Sequence, residues 1–131
     1  MANNITVCGL SNIDGFNPNG VYTITGQQNG RDSWDLTLPS DPVLGAKTFV
    51  VEYYDDGVTK EWHLTDVQSD YGAWYAIGLD ALSPWLAEWS DNGYGYGVPV
   101  VTEGNGGCQT DPYAPWGGFN NWRRLRLLEY V

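Results

Sequence analysis

Asn17-Pro-Asn-Gly-Val-Tyr-Thr-Ile-Thr-Gly-Gln-Gln-Asn-Gly-Arg-Asp-Ser-Trp34 is the stretch whose reading decides the fold. Two Asn-Gly pairs, Asn19-Gly20 and Asn29-Gly30, bracket a strand-like run, and a second run from Trp34 to Leu38 follows. Asn-Gly favours positive φ at both central turn positions, so both pairs are read as glycine-bearing turns and residues 21–38 as a hairpin. Tyr22 and Ile24 share one face; Trp34, Leu36 and Leu38 share a face between Ser33, Asp35 and Thr37. That period of two is the mark of half-buried strands. Tyr22 and Trp34 are read as core or cross-strand partners, and Arg31 as a structural residue just past a turn.

Outward from this hairpin the same signals recur. Ile5–Cys8 reads as a first strand ended by Gly9 and a loop. Lys47–Tyr54 places Phe49, Val51 and Tyr53 on one side. Asp55-Asp56-Gly57 turns the chain into Thr59–Thr65, with Trp62 and Leu64 inward and Glu61, His63 and Thr65 outward. Ala73–Ile77 and Val98–Thr102 follow, the latter expected at a sheet edge because Pro99 lacks an amide hydrogen. Residues 83–89 read as a one- or two-turn helix or a loop: Ser83 can cap it, Pro84 suits its first position, and Leu86 and Trp89 lie three apart. Trp122–Tyr130 closes the chain as a last strand. About seven to nine short strands with frequent turns specify an all-β fold, an antiparallel barrel or a sandwich, and residues 1–131 are read as one domain.

Composition narrows the function. Six basic against sixteen acidic residues give a net charge of −10, which repels phosphate backbones and anionic membranes and argues against nucleic acid as a partner. No apolar run reaches the ~20 residues of a membrane-spanning helix, so membrane insertion is not expected. Met1-Ala-Asn-Asn-Ile-Thr6 has neither a basic nor an apolar leader region, and no secretory signal is read in the chain. Cys8 and Cys108 lie 100 residues apart, too far for a CxxC site, and stand either as two thiols or as one long-range disulfide.

The pattern Asn-Gly-x-Tyr-Thr-x-x-Gly-x-x-Asn-Gly-Arg-x-x-Trp over residues 19–34 resembles a small all-β module of bacteriophage virion proteins and large surface proteins. Tyr53-Tyr54, Trp62-x-Leu64, Trp74-Tyr75 and Pro84…Trp89 follow in a similar order, as does Val7-Cys-Gly9 in the first strand; the likeness covers about residues 4–90. It implies a display, capsid-decoration or attachment role at a virion or cell surface, and it brings no catalytic residues.

Chemistry-bearing residues are few. His63 is the only histidine and is expected exposed on its strand, beside Glu61. Glu52 and Glu61 belong to outward sets of adjacent strands and form the one carboxylate pair worth drawing for a glycoside hydrolase. The acidic turns at Asp55-Asp56-Gly57, Asp66…Asp70 and Asp91-Asn92-Gly93 lack calcium-loop spacing, zinc lacks ligands, and neither a metal nor another cofactor is expected. A denser signal is aromatic: Trp74, Tyr75, Trp85, Trp89, Tyr94, Tyr96, Tyr113 and Trp116 lie in or beside loops of the second half. Such rings can lid a barrel, anchor a protein partner or stack on sugar. Arg123, Arg124 and Arg126 hold half of the basic residues and read as a docking stripe for a second copy or a neighbour, or as internal ion-pair partners. The expectation is a non-enzymatic module acting by assembly or attachment, with a carbohydrate-binding module as the alternative and a small glycoside hydrolase third.

Overall fold

A computed structural model describes residues 3–108. Its strands are β1 (Ile5–Cys8), β2 (Gly20–Gln28), β3 (Arg31–Asp41), β4 (Gly45–Asp55), β5 (Lys60–Asp66), β6 (Ala76–Leu79), β7 (Trp89–Asp91) and β8 (Val100–Glu103). They form one antiparallel sheet in the order β7-β6-β5-β4-β3-β2-β1-β8, curled into a nearly closed barrel. Every neighbour except the β1–β8 pair is also a neighbour in sequence, so each β2–β7 junction is a hairpin or short connection. The barrel, rather than the sandwich, is the form the chain takes, and β8 lies at the edge that Pro99 implied.

Of the two Asn-Gly pairs only the second is a hairpin turn. Asn29 (φ 53°) and Gly30 (φ 82°) occupy the two positive-φ positions of a two-residue loop between β2 and β3. Asn19-Gly20 instead opens β2. Its asparagine side chain accepts from the Leu10 amide (2.9 Å) and donates to the Leu10 carbonyl (2.7 Å), pinning the preceding loop. That loop inserts Leu10, Ile13 and Phe16 into the core at one end of the barrel.

Inward alternation supplies the rest of the interior: Ile5 and Val7, Tyr22, Trp34, Phe49, Val51 and Tyr53, and Trp62 and Leu64. Tyr22 and Trp34 thus take the core places read from the hairpin motif. Arg31 holds its guanidinium 4.1 Å from the Tyr53 ring centre and donates to the Ala81 carbonyl, where Trp62 Nε1–H also donates (2.9 Å). These bonds bring the segment after β6 across the other end of the barrel.

Residues 83–89 do not form a helix. One turn closes, with the Leu86 and Ala87 amides donating to Ser83 and Pro84, and the chain then extends into β7, an element the local pattern hides. Sheet pairing outweighs the weak helical preference. Trp89 lies opposite Gly78, and a Cβ on Gly78 would stand 2.8 Å from the Trp89 indole, so a bare glycine is what admits the ring. Strand β6 also starts three residues later than Ala73, because residues 67–72 turn before pairing resumes through the Tyr75 amide and the Leu64 carbonyl (2.8 Å). The strand expected at Trp122–Tyr130 lies outside the described residues.

One buried polar network sits in the core. Lys47, on the inward row of β4, reaches Asp66 Oδ2 (2.7 Å) and Asp14 Oδ2 (3.0 Å). Asp66 also accepts the Tyr75 hydroxyl (2.6 Å) and the Ser69 amide (2.7 Å), and is 0% exposed. Burial by itself pushes the Asp66 carboxyl up, but its bonds from Lys47, Ser69 and Tyr75 outweigh that and hold it below the usual carboxylate range. Burial likewise works against the Lys47 charge, and the two aspartates more than restore it.

The Cys8 and Cys108 sulfurs are 2.00 Å apart and form a disulfide. After β8 the chain folds back over β1: the Gly104 amide donates to the Asn4 carbonyl (2.7 Å), and Thr6 Oγ1–H donates to the Gly104 carbonyl (2.9 Å). The bridge therefore ties the end of this return to the end of the first strand.

Unfolding measurements on the polar network and on the disulfide test this account. Lys47→Ala leaves Asp66 buried without its cation and is expected to lower unfolding free energy by about 3–5 kcal/mol in urea titrations. The sign for pH follows from the depressed carboxyl: the Asp66 contribution is present above the ordinary aspartate value of 3.8 and is lost as pH falls through the lower folded-state value. The stability gap between the native chain and Asp66→Asn is therefore constant near neutrality and shrinks in acid. Secondly, a Cys8→Ser/Cys108→Ser double variant frees a loop of 100 residues and is expected to lose about 4–5 kcal/mol in the chain-entropy picture, read from the same titration.

Candidate groove on the outer face

The face of the sheet turned away from the core carries the site. The outward rows are Ser33 and Asp35 on β3, Val50, Glu52 and Tyr54 on β4, and Glu61, His63 and Thr65 on β5. On β2 the pairing steps from Ile24↔Trp34 to Gly26↔Ser33, leaving Thr25 as the extra residue of a bulge. Thr25 keeps the outward facing that alternation from Tyr22 and Ile24 gives it, and it lines the outer face together with Asp35. Thr25, Gln28, Ser33 and Asp35 line one side of an open groove of about 590 Å³; Val50, Glu52 and Tyr54 run along it, and Tyr71 and Trp74 from the β5–β6 connection complete it.

His63 is not exposed. It is 1% accessible, in a triangle of three rings: its own lies 4.1 Å from that of Trp74 and 4.8 Å from that of Tyr54, and the latter two are 5.1 Å apart. Its Nε2 lies 2.6 Å from Glu61 Oε2. The outward parity read from the strand is right; what parity omits is that Trp74 folds down over this face. Burial lowers the imidazole pKa, and the Glu61 carboxylate opposes that shift without cancelling it. His63 is thus the fixed support beneath Trp74. The indole is held at its other edge as well, Nε1–H donating to the Tyr71 carbonyl (2.9 Å).

The carboxylates also divide differently from the expected Glu52–Glu61 pair. Glu61 is opposite Tyr54 and turns to His63, whereas Glu52 is opposite His63 and lines the groove with Asp35. Burial raises the Glu52 carboxyl above its usual range, and the neighbouring Asp35 charge raises it further. Burial raises Asp35 too, partly offset by Thr25. No cation answers them among the described residues. Lys47 is committed to Asp14 and Asp66, Arg31 to Tyr53 and Ala81, and Lys60 stands opposite Asp55 near the β4–β5 turn.

The aromatic residues singled out from the sequence do not form one surface. Trp74 belongs to the groove. Tyr75, its neighbour, points into the core with its ring edge-on to Phe49, Tyr94 and Tyr96. Trp85 packs edge-on to Trp34, and Trp89 covers Gly78 and donates to the Pro84 carbonyl (2.8 Å), so both serve barrel closure. Tyr94 and Tyr96 stack on each other beside Tyr75, Tyr94 half in solvent. Tyr113, Trp116, Arg123, Arg124 and Arg126 lie outside the described residues. Tyr54, Tyr71, Thr25, Gln28, Ser33 and Asp35 are groove residues that the sequence did not single out. Period-2 parity could have flagged Thr25, Tyr54, Ser33 and Asp35 together with Glu52, but the connection that brings Tyr71 and Trp74 over this face has no local signature.

Among the described residues no group of three or more His, Cys, Asp or Glu is placed to hold a metal ion, and no helix is long and apolar enough to cross a membrane. No family model matches the chain, and neither a curated protein nor a solved structure matches it.

The role given to Trp74 has a direct readout. In Trp74→Ala the imidazole regains solvent while keeping Glu61, so its pKa is expected to rise above the native one. An NMR titration of the His63 ring proton checks this, and an unchanged midpoint would show that Trp74 is not what buries it.

Proposed function

We propose that the chain is a non-enzymatic attachment module that binds carbohydrate in the outer-face groove. The observation that carries this reading is a fixed indole, stacked on His63 and bonded to the Tyr71 carbonyl, in the wall of a groove otherwise lined by hydroxyl, amide and carboxylate groups. A sugar ring has an apolar C–H face and an edge of hydroxyls. Trp74 suits the first. Glu52, Asp35, Thr25, Ser33 and Gln28 suit the second, the carboxylates as charged acceptors of the stronger kind. Because the indole is already held, little ordering cost falls on binding. The likeness of residues 19–34 to phage virion and surface modules supports an attachment setting at a virion or cell surface.

A glycan array followed by calorimetry tests the proposal. Binding of a defined oligosaccharide, weakened at least about tenfold by Trp74→Ala, is expected, since stacking on a single ring is worth on the order of 1–3 kcal/mol by comparison with other aromatic platforms. Recovery of shortened oligosaccharide after incubation would overturn the non-enzymatic part.

The assembly reading is favoured by a separate observation: Leu79, Leu82 and Leu86 stand 56%, 77% and 65% exposed on β6 and the connection after it. Sedimentation across concentrations, with Leu82→Ser for comparison, distinguishes it. A stable oligomer that this substitution dissociates, with no glycan bound, would replace the carbohydrate reading.

A further inference from the structure

We propose that the groove is selective for a sugar bearing a free amine, the ammonium group lodging between Asp35 and Glu52 beside Trp74. The inference rests on the groove being the carbohydrate surface, and it names the class of sugar.

Strand register sets the two carboxylates side by side. Asp35 is opposite Val50, so Glu52, two residues on, is its diagonal neighbour on the same face. Diagonal residues of an antiparallel pair are about 7–8 Å apart, close enough for one cation to bond to both carboxylates at charged hydrogen-bond lengths of about 2.7–2.9 Å. Two carboxylates so placed, each partly withdrawn from water, repel one another, and both are held above the usual carboxylate range for the reason of burial. Among the described residues Lys47 and Arg31 are engaged elsewhere, Lys60 stands opposite Asp55 at the start of β5, and none of the three lines the groove.

A neutral sugar hydroxyl can donate one hydrogen bond to this pair and leaves the repulsion in place. An ammonium donates three and offsets one of the two negative charges. The same groove wall adds the ring of Trp74, whose face attracts a cation through its quadrupole. N-acetylation of the amine removes the charge and adds bulk while leaving the sugar ring unchanged, which makes the acetylated sugar the natural control.

The experiment is isothermal titration of the full chain with glucosamine oligomers and with N-acetylglucosamine oligomers of equal length, at pH 6 and at two salt concentrations. The amine form is expected to bind at least about tenfold more tightly, the scale of one hydrogen bond to a charged group. That preference shrinks as salt rises, and it is reduced by Glu52→Gln and by Asp35→Asn. The salt series on the native chain keeps the test informative should either variant fold poorly. Equal affinity for the two oligomers, or tighter binding of the acetylated form, would overturn the selectivity while leaving the carbohydrate reading standing. Absence of binding by these oligomers together with any array sugar would overturn both.

Discussion

The buried carboxylate of Asp66 is the constraint on which the rest of this molecule depends. It takes the Lys47 ammonium from β4, the Ser69 amide from the turn after β5, and the Tyr75 hydroxyl from the segment entering β6. A charge withdrawn from water is tolerable only with such partners. Its consequence reaches beyond stability. With the Tyr75 hydroxyl anchored inside the barrel, the preceding side chain in an extended chain must point to the other face. Trp74 is therefore delivered onto His63, and the groove gains its aromatic wall. The outer site is built by a bond made in the core.

The other side of the groove has a different origin. Strands β3 and β4 share the longest uninterrupted register of the sheet's first half, from Trp34↔Val51 to Leu38↔Lys47, and this rigid pair carries Asp35 and Glu52. Thr25, at the register shift of β2, adds a hydroxyl to the same wall as the half-buried Asp35. Closure makes the platform stiff. The Cys8–Cys108 bridge and the return of residues 104–108 over β1 hold the late chain to the first strand, and Trp85 and Trp89 fill the end opposite Lys47. A sheet held at both ends leaves its outer face little freedom to rearrange, which favours recognition through a ready-made groove.

Particular elements show how far local chemistry reaches. Asn29-Gly30 forms the turn its residues prefer, because a two-residue hairpin needs nothing beyond positive φ at both positions. Asn19-Gly20 has the same two residues and forms none, because the Asn19 side chain finds both polar groups of the Leu10 backbone. Ser83-Pro84 begins a helical turn that β-pairing at Gly78 cuts short. His63 has the facing its strand pattern assigns, yet it is buried, since facing is a property of one strand and burial depends on what crosses above it. Lys47 is the sharpest case. In sequence it is a charged residue at the start of a β-rich run, and only the arrival of Asp14 and Asp66 makes an inward lysine tolerable.

The sequence by itself determined the all-β class, the main hairpins, the inward rows of β2 to β5 and the outward placing of Glu52 and His63. All of these follow from period-2 alternation and from turn residues acting over a few positions. Tertiary structure alone decided that the sheet curls into a nearly closed barrel, that the disulfide forms, and that one tryptophan of the aromatic set faces outward with two carboxylates while its neighbours plug the ends. The physical reason is one of range. Alternation and turn geometry are fixed by adjacent residues, whereas pairing a buried charge, covering a histidine or setting Asp35 beside Glu52 requires groups brought together from distant parts of the chain.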